Sequence, residues 1–142
     1  MIPDFVDGQN LPRGMYECTW EELIERFGKG HRRSQLCNEL KALIERARSC
    51  DFLKVIVDGS FVTAKETPGD LDILWVVKRG TTKDIVSEDC AKLLDGTGSK
   101  QQFGHDMMYC PDEPASVATL ADGLGFDLRT GKDRGVIVLT LQ

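Results

Sequence analysis

Apolar residues recur along the chain at two different periods. In residues 33–49 they return every three or four positions, as on the buried face of an amphipathic helix. Residues 52–58 and 70–77 instead contain short β-branched or unbroken apolar runs, which are typical of strands. The run 73–77 has no polar position, which favours a strand covered on both faces of a sheet.

Further elements are predicted from capping and turn residues. Thr19 and Glu22 have capping-box spacing, which predicts a helix from Trp20 to Phe27 that Gly28 ends. Further helices are expected at 82–94, ending at Gly96 and Gly98, and at 115–124, with strands at 102–110 and 135–141 and a basic turn at 129–134.

The order of these elements predicts the fold class and the domain organisation. Helices and strands alternate, which indicates an α/β or α+β fold with a mixed sheet of about four strands flanked by helices. We expect one domain over residues 1–142, in which residues 1–30 are an N-terminal lead-in and a short helix.

Composition and charge narrow the class of protein. The 142 residues carry a net charge of −5 and are 41% hydrophobic, as in an ordinary globular domain. The acidic balance argues against non-specific DNA or RNA coating, although binding of a nucleotide or a defined RNA end stays compatible with it. Because no apolar run is long enough for a membrane span and residues 1–20 lack a secretory pattern, we expect a cytoplasmic protein.

The cysteines give no sign of a metal site or a disulfide framework. There are five, widely spaced and without a CxxC pair, and the two histidines lie far from any cysteine pair. We therefore predict reduced thiols that pack as small hydrophobic side chains.

One group of residues in the sequence is typical of a metal and phosphate site. A strand ends in Gly59-Ser60, and after nine intervening residues (61–69) Asp70 and Asp72 open the next strand. Residues two apart on a strand point to the same face, so the two carboxylates would lie side by side. A divalent cation compensates such a pair, and Mg²⁺ is typically held by one or two carboxylates together with substrate phosphates. Gly59 would let the backbone approach a phosphate, and Ser60 would donate hydrogen bonds to it.

These residues resemble the nucleotidyltransferase superfamily, which has the DNA polymerase β-like fold. The resemblance lies in a hydrophobic strand, Gly-Ser, a loop, and then Asp-Leu-Asp-Ile. The segments LPRG, TWEELIERFG, GSFVTAKETPGDLDI and GKDRGVIVL are similar to small nucleotidyltransferase-like proteins of bacteria and their prophages. We therefore expect the minimal nucleotidyltransferase fold.

The resemblance implies two-metal transfer of a nucleotidyl group from an NTP to a hydroxyl of a protein or RNA acceptor. Two Mg²⁺ would be held by Asp70, Asp72 and a third acid, for which Asp106 is the first candidate. Asp58 and Asp127 are weaker candidates for the third acid. Small members of this kind often serve in toxin–antitoxin or phage-related systems, so we expect a macromolecular acceptor. The helical second domain with which larger members bind the base or acceptor is not expected here, so a partner protein or a second copy of the chain would supply that surface.

The sequence departs from the small antitoxin-type members at two positions. They carry Arg-Gly soon after Gly-Ser, whereas this chain has the segment 61–65, in which Lys65 would replace the arginine as a phosphate contact. They also have serine before the first aspartate, where this chain has Gly69. An alternative is therefore a binding module that neutralises a partner protein without catalysis, and a third hypothesis is an NTP-binding sensor.

Each candidate also has an ordinary interpretation. Asp70 and Asp72 could be solvated acids, Gly59-Ser60 a tight turn, and Asp106 a sheet-edge acid or ion-pair partner. We interpret His105 as a packing or surface residue and Met107-Met108 as core residues. We expect the basic patch 29–33 to be solvated. Lys132 and Arg134 are interpreted either as solvated residues or as phosphate contacts.

Overall fold

The computed structural model describes residues 1–124, 126–127 and 132–141. The described residues form five α-helices, a five-stranded sheet and a two-stranded ribbon. In chain order they are β1 (Met15–Glu17), α1 (Trp20–Phe27), α2 (His31–Ser49), β2 (Lys54–Asp58), β3 (Asp72–Val77), α3 (Glu88–Leu94), α4 (Gly96–Phe103), β4 (Asp106–Pro111), α5 (Pro114–Leu124), β5 (Phe126–Asp127), β6 (Lys132–Asp133) and β7 (Val136–Thr140).

The large sheet is mixed, as the order of elements predicts. Its strand order is β1-β7-β2-β3-β4. The outer pairs β1–β7 and β3–β4 are parallel, and the inner pairs are antiparallel. The predicted α/β class is confirmed, and the fifth strand is β1, whose three residues carry too short a pattern to be recognised in the sequence.

Both faces of the central strands are covered. Ile73, Trp75 and Val77 face the larger core, to which α1, α2 and α3 contribute. Leu74 and Val76 face a smaller cluster, against which α5 packs. The alternation along β3 explains why the run 73–77 needs no polar position.

The first helix forms as predicted. Thr19 accepts a hydrogen bond from the Glu22 N–H, and the Glu22 carboxylate accepts one from the Thr19 N–H. This is a complete capping box.

The region between β3 and β4 differs from the prediction. The expected helix 82–94 begins only at Glu88, where the Ser87 hydroxyl accepts a hydrogen bond from the Cys90 N–H. The β-branched residues before Ser87 are poor helix formers, so the capping serine fixes the start. Gly96 does not end helical structure but begins α4, which ends at Gly104 in a left-handed conformation. The strand expected from 102 therefore begins at Asp106.

The prediction of five reduced thiols is wrong for two of them. Cys50, just after α2, forms a disulfide with Cys90 of α3. The pairing spans 40 residues and depends on how the two helices pack, which cysteine spacing alone does not reveal. Cys37 and Cys110 are buried thiols, as expected, and Cys18 is half-buried.

Two other observations bear on the sequence predictions. Among the residues described, no helix is long and apolar enough to span a membrane. The basic turn predicted at 129–134 lies partly outside the described residues, which include only 132–134 of it.

Candidate active site

Three neighbouring strands place one carboxylate each at the same end of the sheet. Asp58 is the last residue of β2, Asp72 the first of β3 and Asp106 the first of β4. Asp72 is the register partner of both Asp58 and Asp106. Register partners share a sheet face, so the three carboxylates form a row across the strands.

Asp70 lies beside this row, although not on the predicted strand. β3 begins at Asp72 rather than at residue 70, so Asp70 belongs to the loop before it. Its carboxylate still lies near the row, because the Lys100 ammonium contacts both Asp70 and Asp106. In agreement with this placement, Asp70 and Asp106 both raise the pKa of Asp72. We call Asp58, Asp70, Asp72 and Asp106 the acid cluster.

Lys100 brings a positive charge into the acid cluster. Its Nζ lies 2.6 Å from Asp70 Oδ2 and 3.7 Å from Asp106 Oδ2. Lys100 was not among the predicted site residues, because Gly96 and Gly98 indicated the end of a helix, whereas Lys100 lies on α4. Only the packing of α4 beside β4 brings the Lys100 side chain to the acid cluster.

Two members of the acid cluster, Asp58 and Asp72, have raised pKa values. Burial raises the pKa of Asp72 to about 6, and the neighbouring Asp70 and Asp106 carboxylates act in the same direction. Burial also raises the pKa of Asp58 to about 6, against the opposing effects of the Gly59 N–H and Arg134. Negative charge at these positions is therefore costly in the protein alone.

Arg134 partly compensates that charge. Its Nε lies 3.6 Å from Asp58 Oδ1, and both side chains are largely buried. The solvated position offered as one interpretation of Arg134 is therefore wrong. Lys132 and Asp127 lie on the small ribbon, and their side chains are outside the described residues.

Gly59 and Ser60 lie beside Asp72, where β2 ends. Gly59 has φ +81° and ψ −166°, a conformation essentially restricted to glycine. A Cβ at this position would collide with Asp72 Oδ2. The missing side chain at Gly59 therefore makes room for the Asp72 carboxylate. Ser60 opens a short 3₁₀ turn, and its hydroxyl has no hydrogen-bond partner within the described part of the chain.

Two residues of the basic patch, Arg32 and Arg33, are structural, whereas Lys29 and His31 are exposed as predicted. Arg33 is 7% exposed and donates five hydrogen bonds, to the carbonyls of Phe27, Phe61, Thr63 and Lys65. Arg32 donates to the carbonyls of Pro68 and Gly69. The two arginines thus hold both ends of the loop between Ser60 and Asp70. A run of basic residues does not reveal in sequence that its members bind main-chain carbonyls.

Lys65, the predicted phosphate contact, lies in this loop. Its side chain is exposed, and its backbone carbonyl accepts hydrogen bonds from Arg33. In residues 1–124, 126–127 and 132–141, Lys100 is the lysine that pairs with Asp70 and Asp106.

His105 fixes the backbone of the Asp-Leu-Asp segment. It is 2% exposed, and its Nδ1 accepts a hydrogen bond of 3.0 Å from the Leu71 N–H. Its Nε2 lies 3.3 Å from Glu39 Oε1. This agrees with a packing residue rather than a base. Next along β4, Met107 is buried as predicted, whereas Met108 is exposed and is not a core residue.

The donor chemistry of the acid cluster fits Mg²⁺. Four carboxylates face two cationic side chains, Lys100 and Arg134, which leaves an excess of oxygen ligands and negative charge. Within the described residues, no group of three or more acid, histidine or cysteine side chains is already arranged to hold a metal ion. The ammonium of Lys100 stands between Asp70 and Asp106 instead.

Comparison with known proteins gives a family but no activity. A family model described as "Family of unknown function (DUF6932)" matches residues 3–140, so the chain belongs to this family. Neither the curated proteins nor the solved structures contain a match to the chain.

Proposed function

We propose that this protein is a Mg²⁺-dependent nucleotidyltransferase that moves an NMP group from an NTP to a hydroxyl of a protein or RNA acceptor. The observation that carries the proposal is the in-register pair Asp72 and Asp106, with Asp70 beside it and Gly59-Ser60 at the end of the adjacent strand. Carboxylates that can hold divalent cations, next to a backbone turn with a free hydroxyl, support metal-assisted phosphoryl chemistry.

The residues have separate roles in this proposal. Asp70, Asp72 and Asp106 would hold two Mg²⁺, which supply the charge that activates the attacking hydroxyl and stabilises the leaving pyrophosphate. The Ser60 hydroxyl and backbone N–H would donate to a phosphate oxygen. Arg33, Arg32 and His105 hold the loop and the Asp-Leu-Asp backbone, so the acids are positioned before substrate binds.

The biological setting also belongs to the proposal. We infer a cytoplasmic role in a toxin–antitoxin or phage-related system, with the acceptor surface completed by a partner protein or a second copy. The net charge of −5 favours a defined acceptor over a nucleic acid bound without specificity.

A second candidate function is a non-catalytic module that neutralises a partner protein. The ion pair between Lys100 and Asp70 favours it, because an internal cation already compensates the acids. The two candidates differ in what the carboxylates do, since only the enzyme needs them for its activity.

Transfer of labelled nucleotide separates the two candidates. The protein is incubated with Mg²⁺, each NTP labelled at the α-phosphate, and a bacterial extract treated with either protease or ribonuclease. We expect label on a macromolecule with the wild type and with Asp84→Asn, which changes an exposed acid between β3 and α3. Asp72→Asn should abolish the labelling of the macromolecule. Equal labelling by Asp72→Asn, or none with any NTP, would contradict the enzymatic proposal.

A further inference from the structure

Lys100 occupies the acid cluster in a way that the sequence resemblance does not account for. Its Nζ donates a hydrogen bond to Asp70 Oδ2 at 2.6 Å and lies 3.7 Å from Asp106 Oδ2. The contacted atoms belong to two of the three acids proposed as metal ligands. One ammonium group therefore occupies the space where a shared cation would bind both carboxylates.

Lys100 and the acids that it contacts belong to different elements of the fold. Asp106 lies at a strand end held by sheet register and Asp70 in the loop directly before β3, while Lys100 reaches both from the last turn of α4. Its side chain remains 45% exposed, so the flexible stem can move the ammonium without rearranging the core. Asp70 is also partly exposed, at 33%.

We infer that Lys100 is a displaceable internal counter-ion. In the metal-free protein it compensates Asp70 and Asp106, and it leaves them when a divalent cation binds. The released ammonium then binds the triphosphate, in the role that the sequence alone assigned to Lys65. This inference rests on the proposed function, because it assumes that the acid cluster is a metal and nucleotide site.

The exchange has a physical reason. A lysine ammonium and a divalent cation compete for the same carboxylate oxygens, so removing the ammonium strengthens metal binding. With a metal on the carboxylates, the lysine has lost its acidic partners and lies beside the position of bound phosphates. A charge-assisted hydrogen bond to a phosphate then becomes the favourable contact.

The test measures two affinities in Lys100→Met, which keeps most of the aliphatic stem. Mn²⁺ is the metal probe, detected by electron paramagnetic resonance, and inorganic tripolyphosphate at saturating free Mn²⁺ is the base-independent phosphate probe. We expect Mn²⁺ to bind about three- to fivefold more tightly, the scale of one partly exposed ion pair. Tripolyphosphate should bind at least about tenfold more weakly.

A second lysine variant is the matched control. Lys92→Met changes a partly exposed lysine of α3 that pairs with Asp89. This variant should not move either affinity by more than about twofold, because an exposed charge away from the site is screened. If Lys100→Met does not fold, as judged by circular dichroism, Lys100→Gln replaces it.

The possible results separate the two proposals. Opposite shifts of the two affinities in Lys100→Met alone support the inference. Unchanged affinities, or equal shifts in a control variant, overturn the role of Lys100, while loss of Mn²⁺ binding in Asp72→Asn leaves the proposed function standing. If neither the wild type nor Lys100→Met binds Mn²⁺, both the inference and the proposed metal-dependent activity fall.

Discussion

Asp72 and Asp106 are register partners on the neighbouring parallel strands β3 and β4. Asp58 is the partner of Asp72 on its other side. Ionisation of Asp58 and Asp72 is costly in this row, because burial opposes it at both positions and neighbouring carboxylates act in the same direction. A ligand that supplies positive charge would relieve this cost. The following predictions test how the row is built and what it binds.

The acid cluster should make the metal-free protein more stable at mildly acidic pH. Asp58 and Asp72 have pKa values raised to about 6 from the ordinary value of 3.8. Between about pH 4 and 6 the folded state therefore binds protons that the unfolded state does not, so stability falls as the pH rises through this window. We expect a higher Tm at pH 5 than at pH 7.5 in EDTA, and a smaller difference in Asp72→Asn. An equal pH dependence in the variant would contradict the assignment to Asp72.

Gly59→Ala should disrupt the site, whereas Gly69→Ala should not. The Cβ at Gly59 would meet the Asp72 carboxylate, and its positive φ is strained for alanine. We expect a loss of about 1–3 kcal/mol in the free energy of unfolding, together with weaker Mn²⁺ binding. Gly69 lies in the same loop with open space around its Cβ. Urea unfolding of the two variants checks this, and equal stabilities would show that the close approach to Asp72 carries no cost.

Arg33 should be essential for the loop before the Asp-Leu-Asp segment. Three of its five hydrogen bonds go to buried main-chain carbonyls, those of Phe27, Phe61 and Thr63, which Arg33→Met would leave unsatisfied. We expect at least about 3 kcal/mol of lost stability, and Arg33→Lys should recover little of it because lysine lacks the planar fork. Arg79→Lys, at an exposed pair with Glu113, is the matched control. Full recovery by Arg33→Lys in urea unfolding would argue against the role of the guanidinium geometry.

The disulfide between Cys50 and Cys90 should contribute to stability. For a closed loop of this length, the chain-entropy estimate is about 4 kcal/mol. We expect dithiothreitol to lower the Tm of the wild type and of Cys18→Ser. The double variant Cys50→Ser, Cys90→Ser should unfold at the lower temperature with or without the reductant. A wild-type Tm insensitive to dithiothreitol would contradict the contribution of the bridge.

Local signals in the sequence were enough to predict part of the molecule. The capping box at Thr19 fixes the first helix, and the unbroken apolar run in β3 indicates a strand covered on both faces. The spacing of Gly59-Ser60 and Asp70-Leu71-Asp72 also indicates which segments meet at the candidate site, because both lie next to strand ends.

The features that could not be predicted from the sequence depend on contacts between residues far apart in the chain. Lys100 meets Asp70 only because α4 packs beside β4, in a segment where two glycines suggested a break. Arg33 is buried and donates hydrogen bonds to main-chain carbonyls. Because every residue has such a carbonyl, the sequence does not show which arginine will bind them. The bridge from Cys50 to Cys90 depends likewise on how α2 and α3 meet.

The most direct test of the account is the Tm of the wild type and of the double variant Asp70→Asn, Asp72→Asn, with Mg²⁺ and each of the four NTPs. A ligand at 100 times its Kd adds about 2.7 kcal/mol, which corresponds to a shift of about 5–10 °C for a domain of this size. The account predicts a Mg²⁺-dependent rise with at least one NTP in the wild type and none in the double variant. No rise with any NTP, or an equal rise in the double variant, would contradict a nucleotide site at these carboxylates.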